Sequence, residues 1–488
     1  MKKIILYTII IASILWSCTD EFEEMDRPKT GSEQIEPDYL FTRALVTGSG
    51  LSVGVWQFLH QTAGSVYAQH LSNIKPGFTS DNYEPGPGNT VWDWYYARAY
   101  FAPLNLNYNA IQLSKKLENP IKEACSRIWQ VYMYQLLTDM YGDIPYDQAF
   151  VSIKPSFSKQ KDIYADMLKE LKESMELIAQ NAGKGYVGYG EADVVFTGDA
   201  AQWERFAGSL MMRIALRASK VAEDEMTKMY LSQLDITKTM QSNADMVKVI
   251  PDADGPTYHV KNPLKYVYGW QEVRISKTMY DLLDNNADPR LQVYAQPNVD
   301  GEYLGLRNGQ SQDELSLNYN SVYQPKYCNL GDFFLQDETP HYVFTYAEAC
   351  FLKSEAAQRG YISGSAQEFY EQGLRASLEQ FGIVDTEVQN IFINGNAKFN
   401  ASEALQQIYE QRWIALFPNG NEAWNLVRRT GYPELDQPVY TWPDNPDMPR
   451  RIPYPVNERR YNADEYSAAV SRMGGDSQYT RVWWDGGN

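Results

Sequence analysis

Apolar side chains return every three to four residues through long stretches of this chain, and that period commits most of it to helices packed side by side. Residues 161–181 set Ile163, Met167, Leu171, Met175 and Ile178 on one face, with Ser158 available as an N-cap. Residues 199–220 line a face with Trp203, Phe206, Leu210 and Ile214, behind a capping box of Asp199 and Gln202. Residues 400–417 place Asn400 and Glu403 in the same register before Leu405, Tyr409, Trp413 and Leu416. Further helical patterns cover roughly 51–72, 92–116, 120–141, 342–360 and 364–382. In contrast, 251–340 is rich in Pro, Gly, Asn and Tyr and mostly lacks the period, as does 431–488. The expected class is mainly α. A scaffold of helical pairs over about 38–250 and 340–430 packs against an irregular, loop-rich region over about 251–340 and 431–488.

The N-terminus gives a destination. Lys2 and Lys3 precede an apolar or small-residue run from Ile4 to Trp16, too short to cross a bilayer and right for a secretory signal. Leu15-Trp16-Ser17-Cys18 resembles a bacterial lipobox, in which the cysteine is diacylated and becomes the new N-terminus. The expected boundaries are a lipoprotein signal peptide over 1–17 and an acidic, flexible tether over 18–37. Four acids in Thr19–Glu24 resemble the export signal that carries lipoproteins to the outer-membrane surface of Bacteroidota-type bacteria. The net charge of −18 removes the basic footprint of a nucleic-acid binder. No apolar run reaches the roughly 18 residues of a spanning helix, so membrane attachment is expected through the lipid. An aromatic content of 14%, with 36 Tyr and 12 Trp, excludes disorder across the chain. Of Cys125, Cys328 and Cys350, two sit inside apolar helical patterns and read as buried free thiols, one disulfide among the three stays open, and no C-x-x-C spacing is present.

One helix pair resembles a tetratricopeptide repeat. Ala347-Glu348-Ala349 opens a helix that carries Leu352 and ends at Gly360, and the next carries Ala366, Tyr370 and Gly373. Small residues at 366 and 373 let the helices approach, while Leu352 and Tyr370 fill the gap. A stronger resemblance follows from Tyr141-Gly142-Asp143-Ile144-Pro145-Tyr146. It matches the signature of the SusD/RagB family of outer-membrane nutrient-binding lipoproteins. Supporting matches run in family order: Trp92-Asp93-Trp94-Tyr95-Tyr96, the Trp203–Arg217 helix, Asp288-Pro289-Arg290, Ile408–Trp413, Glu422–Arg429 and Arg451–Pro455. The closing Gly474-Gly475-Asp476 and Trp483-Trp484-Asp485 resemble the SusD-like subgroup. The resemblance implies one SusD-like domain over 38–488. It also implies capture of a glycan or a peptide, and delivery to a SusC-type TonB-dependent outer-membrane barrel. Within the signature, Gly142 is expected as a left-handed helix cap, and Arg412, Arg428 and Arg429 as partners of buried acids or helix ends.

Catalytic patterns are poor. Gly50-Leu51-Ser52-Val53-Gly54 matches G-x-S-x-G in letters only, because the preceding segment reads as helix rather than strand. His60, His70, His259 and His341 form no metal spacing. Asp252, Asp254 and Gly255 lack the closing Glu of a calcium loop. No P-loop or dinucleotide fingerprint is present, so no cofactor and no metal are expected. Sugars need flat aromatic faces beside amide and acid groups, and two irregular segments supply both. The expected ligand-binding residues are Phe78, Asn82, Tyr83 and Trp92 in the first, and Tyr268, Trp270 and Tyr303 in the second. Neighbours in these segments include Asp81, Asn89, Tyr266, Tyr323, Tyr327, Phe333 and Phe334. The expectation is a non-enzymatic surface binder. The alternatives are a surface-anchored glycan hydrolase or a helical-repeat scaffold without a small ligand.

Overall fold

The computed structural model describes residues 36–84, 89–97, 102–252, 260–319, 326–442 and 447–488. The signal segment, Cys18, nearly all of the tether, Asp254, Gly255, His259 and Tyr323 lie outside them. Pro at the first helical turn opens two of the early helices: α1 (Pro37–Gly48) and α2 (Pro103–Lys116). A third, α3 (Pro120–Tyr141), adds Asn119, whose side chain accepts from Lys122 N at 3.1 Å. Then come α4 (Gln160–Asn181) and α5 (Ala200–Ala218), each packed on its predecessor. The expected face of α4 is buried at Ile163, Met167, Leu171 and Ile178. Its N-cap is Lys159 rather than Ser158, and no side chain caps it. Asp199 does cap α5, accepting from Ala201 N and Gln202 N at 2.8 and 3.2 Å. The capping box is left half-formed, because the Gln202 amide donates to Ala244 O instead.

The region expected to be irregular contains short helices, notably α6 (Pro263–Gly269), Lys277–Asn285 and Gln312–Tyr319. Asn262 and Ser276 start the first two through side-chain bonds to the first free amides. They are one to three turns long, too short for a periodic signal. The second half of the scaffold comprises α7 (Tyr346–Gln358), α8 (Ala366–Gln380), α9 (Thr386–Asn394), α10 (Ala404–Ala415) and α11 (Gly420–Thr430). Here α7 and α8 form the tetratricopeptide-like pair. A Cβ on Gly373 would sit 2.9 Å from the Phe351 ring, so only glycine permits that approach. The helix expected from Asn400 begins at Ala404, because Asn400 and Ser402 close a turn of their own. Gly142 has φ 88° but ψ −124°, so it ends α3 outside the left-handed helical region.

Strands are short antiparallel pairs, among them β1 (Leu71–Asn73), β2 (Val247–Val249), β3 (Val273–Ile275) and β4 (His341–Phe344), with β1 on β3 and β2 on β4; two-residue pairs join Ile144–Pro145 to Phe157–Ser158 and Ala295–Gln296 to Asn329–Leu330. The main apolar cluster runs from Phe41 in α1 to Trp484 near the C-terminus. Inside it lies a network of buried charges. Arg213 forks onto Glu348 at 2.9 and 2.6 Å, and Arg412 bridges Glu348 and Glu422 at 2.8 Å each. Arg217 joins Asp139 to Glu422. Arg429 forks onto Glu355 at 2.6 Å, and Arg428 lies over the Trp424 ring and donates to Asp139 O. These signature arginines hold helices together. Cys125, Cys328 and Cys350 are free and buried.

Candidate ligand-binding face

Pairing of β1 with β3 brings the two aromatic segments together. Immediately after β1, Ile74 N donates to Glu272 O at 2.9 Å, and Lys75 reaches the Glu272 carboxylate at 2.9 Å. Gln57 donates to the other oxygen of Glu272 at 2.7 Å, fixing that acid between two elements. The loop then folds back on its own strand, because buried Asp81 accepts from Asn73 N and Ser72 Oγ at 3.0 Å each. Burial pushes the Asp81 carboxyl up to about 6, against those donors. Further along, Gly77 N donates to Gln312 Oε1 at 2.7 Å and Gln310 Nε2 to Tyr327 Oη at 3.3 Å. Ile74, Leu306 and Tyr327 form a small apolar cluster beneath.

A third segment completes the surface. Val439 N and Tyr440 N donate to Asn308 O and Gly309 O at 3.0 and 2.8 Å, and Trp442 N donates to Asn82 O at 2.7 Å. Tyr479 Oη donates to Trp442 O at 2.9 Å. The rings of Tyr440 and Trp442 are exposed, as is Trp270 at the end of α6. Tyr266 meets Trp270 edge-on at 6.4 Å, and Lys261 lies 5.1 Å from the centre of the Tyr266 ring. Phe78 is half-buried beside Lys75. Tyr268 is half-buried over the guanidinium of Arg274, which is itself held by Val273 O and Gln271. Tyr303 and Asn82 are also half-buried. Main-chain pairing thus brings into one neighbourhood three segments that carry exposed or half-buried aromatic rings with amide and charged groups among them, the residue types that stack on and hydrogen-bond to sugars.

Two of the expected contact residues belong elsewhere. Trp92 is buried among Tyr96, Tyr141, Phe157 and Tyr454, at ring separations of 4.9–5.9 Å, with its indole N–H on Glu458. Tyr83 is buried against Tyr67, with φ 65°, and its carbonyl accepts from Gln478. Neither ring has a face for a ligand; both complete the core. Tyr327 and Phe334 are buried as well. Sequence reading missed Tyr440 and Trp442, since nothing in a non-periodic stretch shows that its backbone pairs with residues 82 and 309. A cleft of about 680 Å³ lined by Lys220, Arg359, Tyr409 and Arg429 shares none of these residues.

The literal G-x-S-x-G motif lacks the strand that a nucleophile elbow needs. Ser52 precedes a short helix, and the segment before it is α1, as expected. His70 Nε2 lies 2.9 Å from Trp413 O in the interior, and His341 Nε2 lies 2.8 Å from Ser49 O in a half-buried position. Among the described residues no three His, Cys, Asp or Glu side chains are grouped to hold a metal.

Comparison with known proteins follows the same lines. A chitin-binding SusD homologue from Flavobacterium johnsoniae superposes with a TM-score of 0.80 at 25% identity, covering 92% of this chain and 98% of its own. A second chitin-binding protein gives 0.79 at 26% identity, over 92% and 100% of the two chains. A SusD homologue from Bacteroides uniformis gives 0.78 at 25%, over 93% and 100%. None of the curated protein sequences compared matches the chain. The sequence model for SusD-like proteins, described as starch-binding and associating with the outer membrane, matches residues 30–455, and the chain belongs to that family.

Proposed function

We propose that this protein is a non-enzymatic, lipid-anchored glycan-binding protein of the cell surface. It captures an oligosaccharide on the face built by residues 74–82, 262–312 and 437–442, and passes it to a SusC-type TonB-dependent barrel. Phe78, Asn82, Tyr268, Trp270 and Tyr303 act there together with Tyr440 and Trp442. One observation carries the reading: segments more than one hundred residues apart are joined by main-chain hydrogen bonds and bring exposed and half-buried rings together with amide groups. The chitin-binding relatives favour a glycan over a peptide. Burial of His60 and His70 favours binding over turnover.

The test is calorimetry of the purified chain with chito-oligosaccharides and starch fragments, alongside assay of the same mixtures for cleavage. Trp270→Ala and Trp442→Ala should each weaken binding by roughly 5- to 150-fold, as loss of an aromatic anchor of about 1–3 kcal/mol does, with little change in melting temperature. Trp92→Ala should do the reverse, costing about 3–5 kcal/mol of stability through the cavity it leaves. Unchanged affinity in both surface variants moves the site elsewhere, and cleavage products establish the hydrolase.

A further inference from the structure

One buried cation of the candidate face has no anion. Arg274 lies in the middle of β3, opposite Ser72 of β1, and is only 1% exposed. Arg290 and Arg451 are as deeply buried, and each holds a carboxylate at 2.6 Å, that of Asp288 and that of Asp476. Among the described residues Arg274 has no such partner. Its Nη1 donates to Val273 O at 2.8 Å and its Nη2 to Gln271 Oε1 at 2.6 Å, while Nε is buried without an acceptor. The guanidinium also lies 5.5 Å from the centre of the Tyr268 ring. A buried charge without a counter-charge is costly, so filling space does not account for an arginine here.

What the guanidinium holds is the turn between α6 and β3. Gln271 sits in it at φ 59°, a left-handed conformation that a residue with a Cβ adopts at a cost. Around it, Gln271 N donates to Tyr268 O at 2.8 Å, Trp270 N to Tyr266 O at 2.9 Å and Glu272 N to Val267 O at 3.4 Å. The bond from Arg274 to the Gln271 side chain ties this turn down onto the strand. Trp270, the residue just before, is 44% exposed. Tyr268, two residues earlier, lies over the same guanidinium. A planar fork with donors in fixed directions can hold a carbonyl, an amide and an aromatic face at once, which an ammonium on a flexible stem cannot. One buried side chain thus sets the place of two rings.

We propose that Arg274 is a positioning residue of the ligand face: it fixes the Tyr268 ring and the Trp270 turn in the arrangement on which a glycan stacks, without touching the glycan. The inference rests on the reading of this neighbourhood as the binding face, and it adds the group that orders two of its rings before a ligand arrives. Ordering them in advance takes an entropic cost out of binding.

Arg274→Met keeps the length of the side chain and removes the unpaired charge, so the melting temperature should hold or rise. Affinity should nevertheless fall by roughly tenfold for the chito-oligosaccharide or starch fragment that binds the native chain. Gln271→Gly cuts the same link from the other side while relieving the left-handed backbone, and it should also weaken binding. The two changes together should cost little more affinity than Arg274→Met alone, since they act through one bond. A readout without ligand is the fluorine spectrum of the chain labelled with 5-fluorotryptophan, in which the Trp270 line is identified by its loss in Trp270→Phe. That line should broaden or split in Arg274→Met while the lines of the buried tryptophans stay in place. An unmoved Trp270 line, or unchanged affinity in both variants, overturns the proposal and leaves the binding face standing. A loss of affinity that only follows a fall in melting temperature also overturns it, because the residue then serves the fold alone. Absence of binding between the native chain and either glycan removes the binding face, and the proposal with it.

Discussion

Within the core, His70 shows how one buried ring ties stability to acidity. Its imidazole meets Trp413 edge-on at 4.5 Å and Phe417 at 5.6 Å. Burial pushes it from 6.5 down to about 3, outweighing the Trp413 carbonyl that favours the charged form. The folded value lies below the unfolded one, so the unfolded chain takes the proton first as pH falls. The stability His70 contributes is therefore complete above about pH 6.5 and is lost between there and about 3. This group alone should remove about 2 kcal/mol by pH 5. His60 and His341 are held low by burial too, which adds to the loss. The buried Asp81 carboxyl, raised to about 6, works the other way as pH falls, so the check is the difference between variants: urea midpoints measured from pH 8 to 5 should fall less, or rise more, in His70→Asn than in the native chain. Parallel profiles of the two contradict the assignment. The sequence announced none of this, because a histidine in a helical or strand pattern looks the same whether it faces a carbonyl or water. Trp92 misled for a related reason. It sits beside a Gly/Pro/Asn-rich loop, yet its side chain turns inward to meet rings from three other segments.

Between elements, the buried charges do what a mainly apolar interface would otherwise do. Burial raises the Glu422 carboxyl, but Arg217, Arg213 and Arg412 outweigh that and hold it at about 2. Each of those arginines arrives from α5 or α10, so the carboxylate of α11 marks where three helices must meet. Arg412→Leu removes the bridge between Glu348 and Glu422 and leaves two buried acids short of a donor. It should cost about 3 kcal/mol, at the low end for a broken buried pair because Arg213 and Arg217 remain. Denaturant unfolding checks the value, and a loss below about 1 kcal/mol shows that two guanidiniums suffice. Helices of four or more turns were legible, because an apolar face of that length leaves a clear period. Their beginnings were less so: Ser158 and Asn400 are good caps by type, but each is spent on a turn or strand before the helix. The short helices after Asn262 and Ser276 lay below what a period can reveal.

As a whole molecule, the protein is expected to be held at the membrane by Cys18 and in its complex by the barrel. Cys18→Ala should move it from the membrane fraction to the soluble fraction in cells lacking the barrel, and continued retention there excludes the acyl anchor. Family membership and the helical scaffold were readable from ordered motifs spread along the chain. The proposed binding face was readable only in part, since Phe78, Asn82, Tyr268, Trp270 and Tyr303 stand in composition-biased loops, whereas Tyr440 and Trp442 join that neighbourhood through long-range pairing. That pairing has its own consequence. The 437–442 segment is joined to residues 82, 308 and 309 by main-chain hydrogen bonds, and a peptide group is indifferent to the side chain it carries. Positions 78, 270, 440 and 442 can therefore drift from ring to amide to acid while the frame beneath them stays in register. A lineage of such proteins can change its diet by rewriting a few outward letters, with no new architecture required.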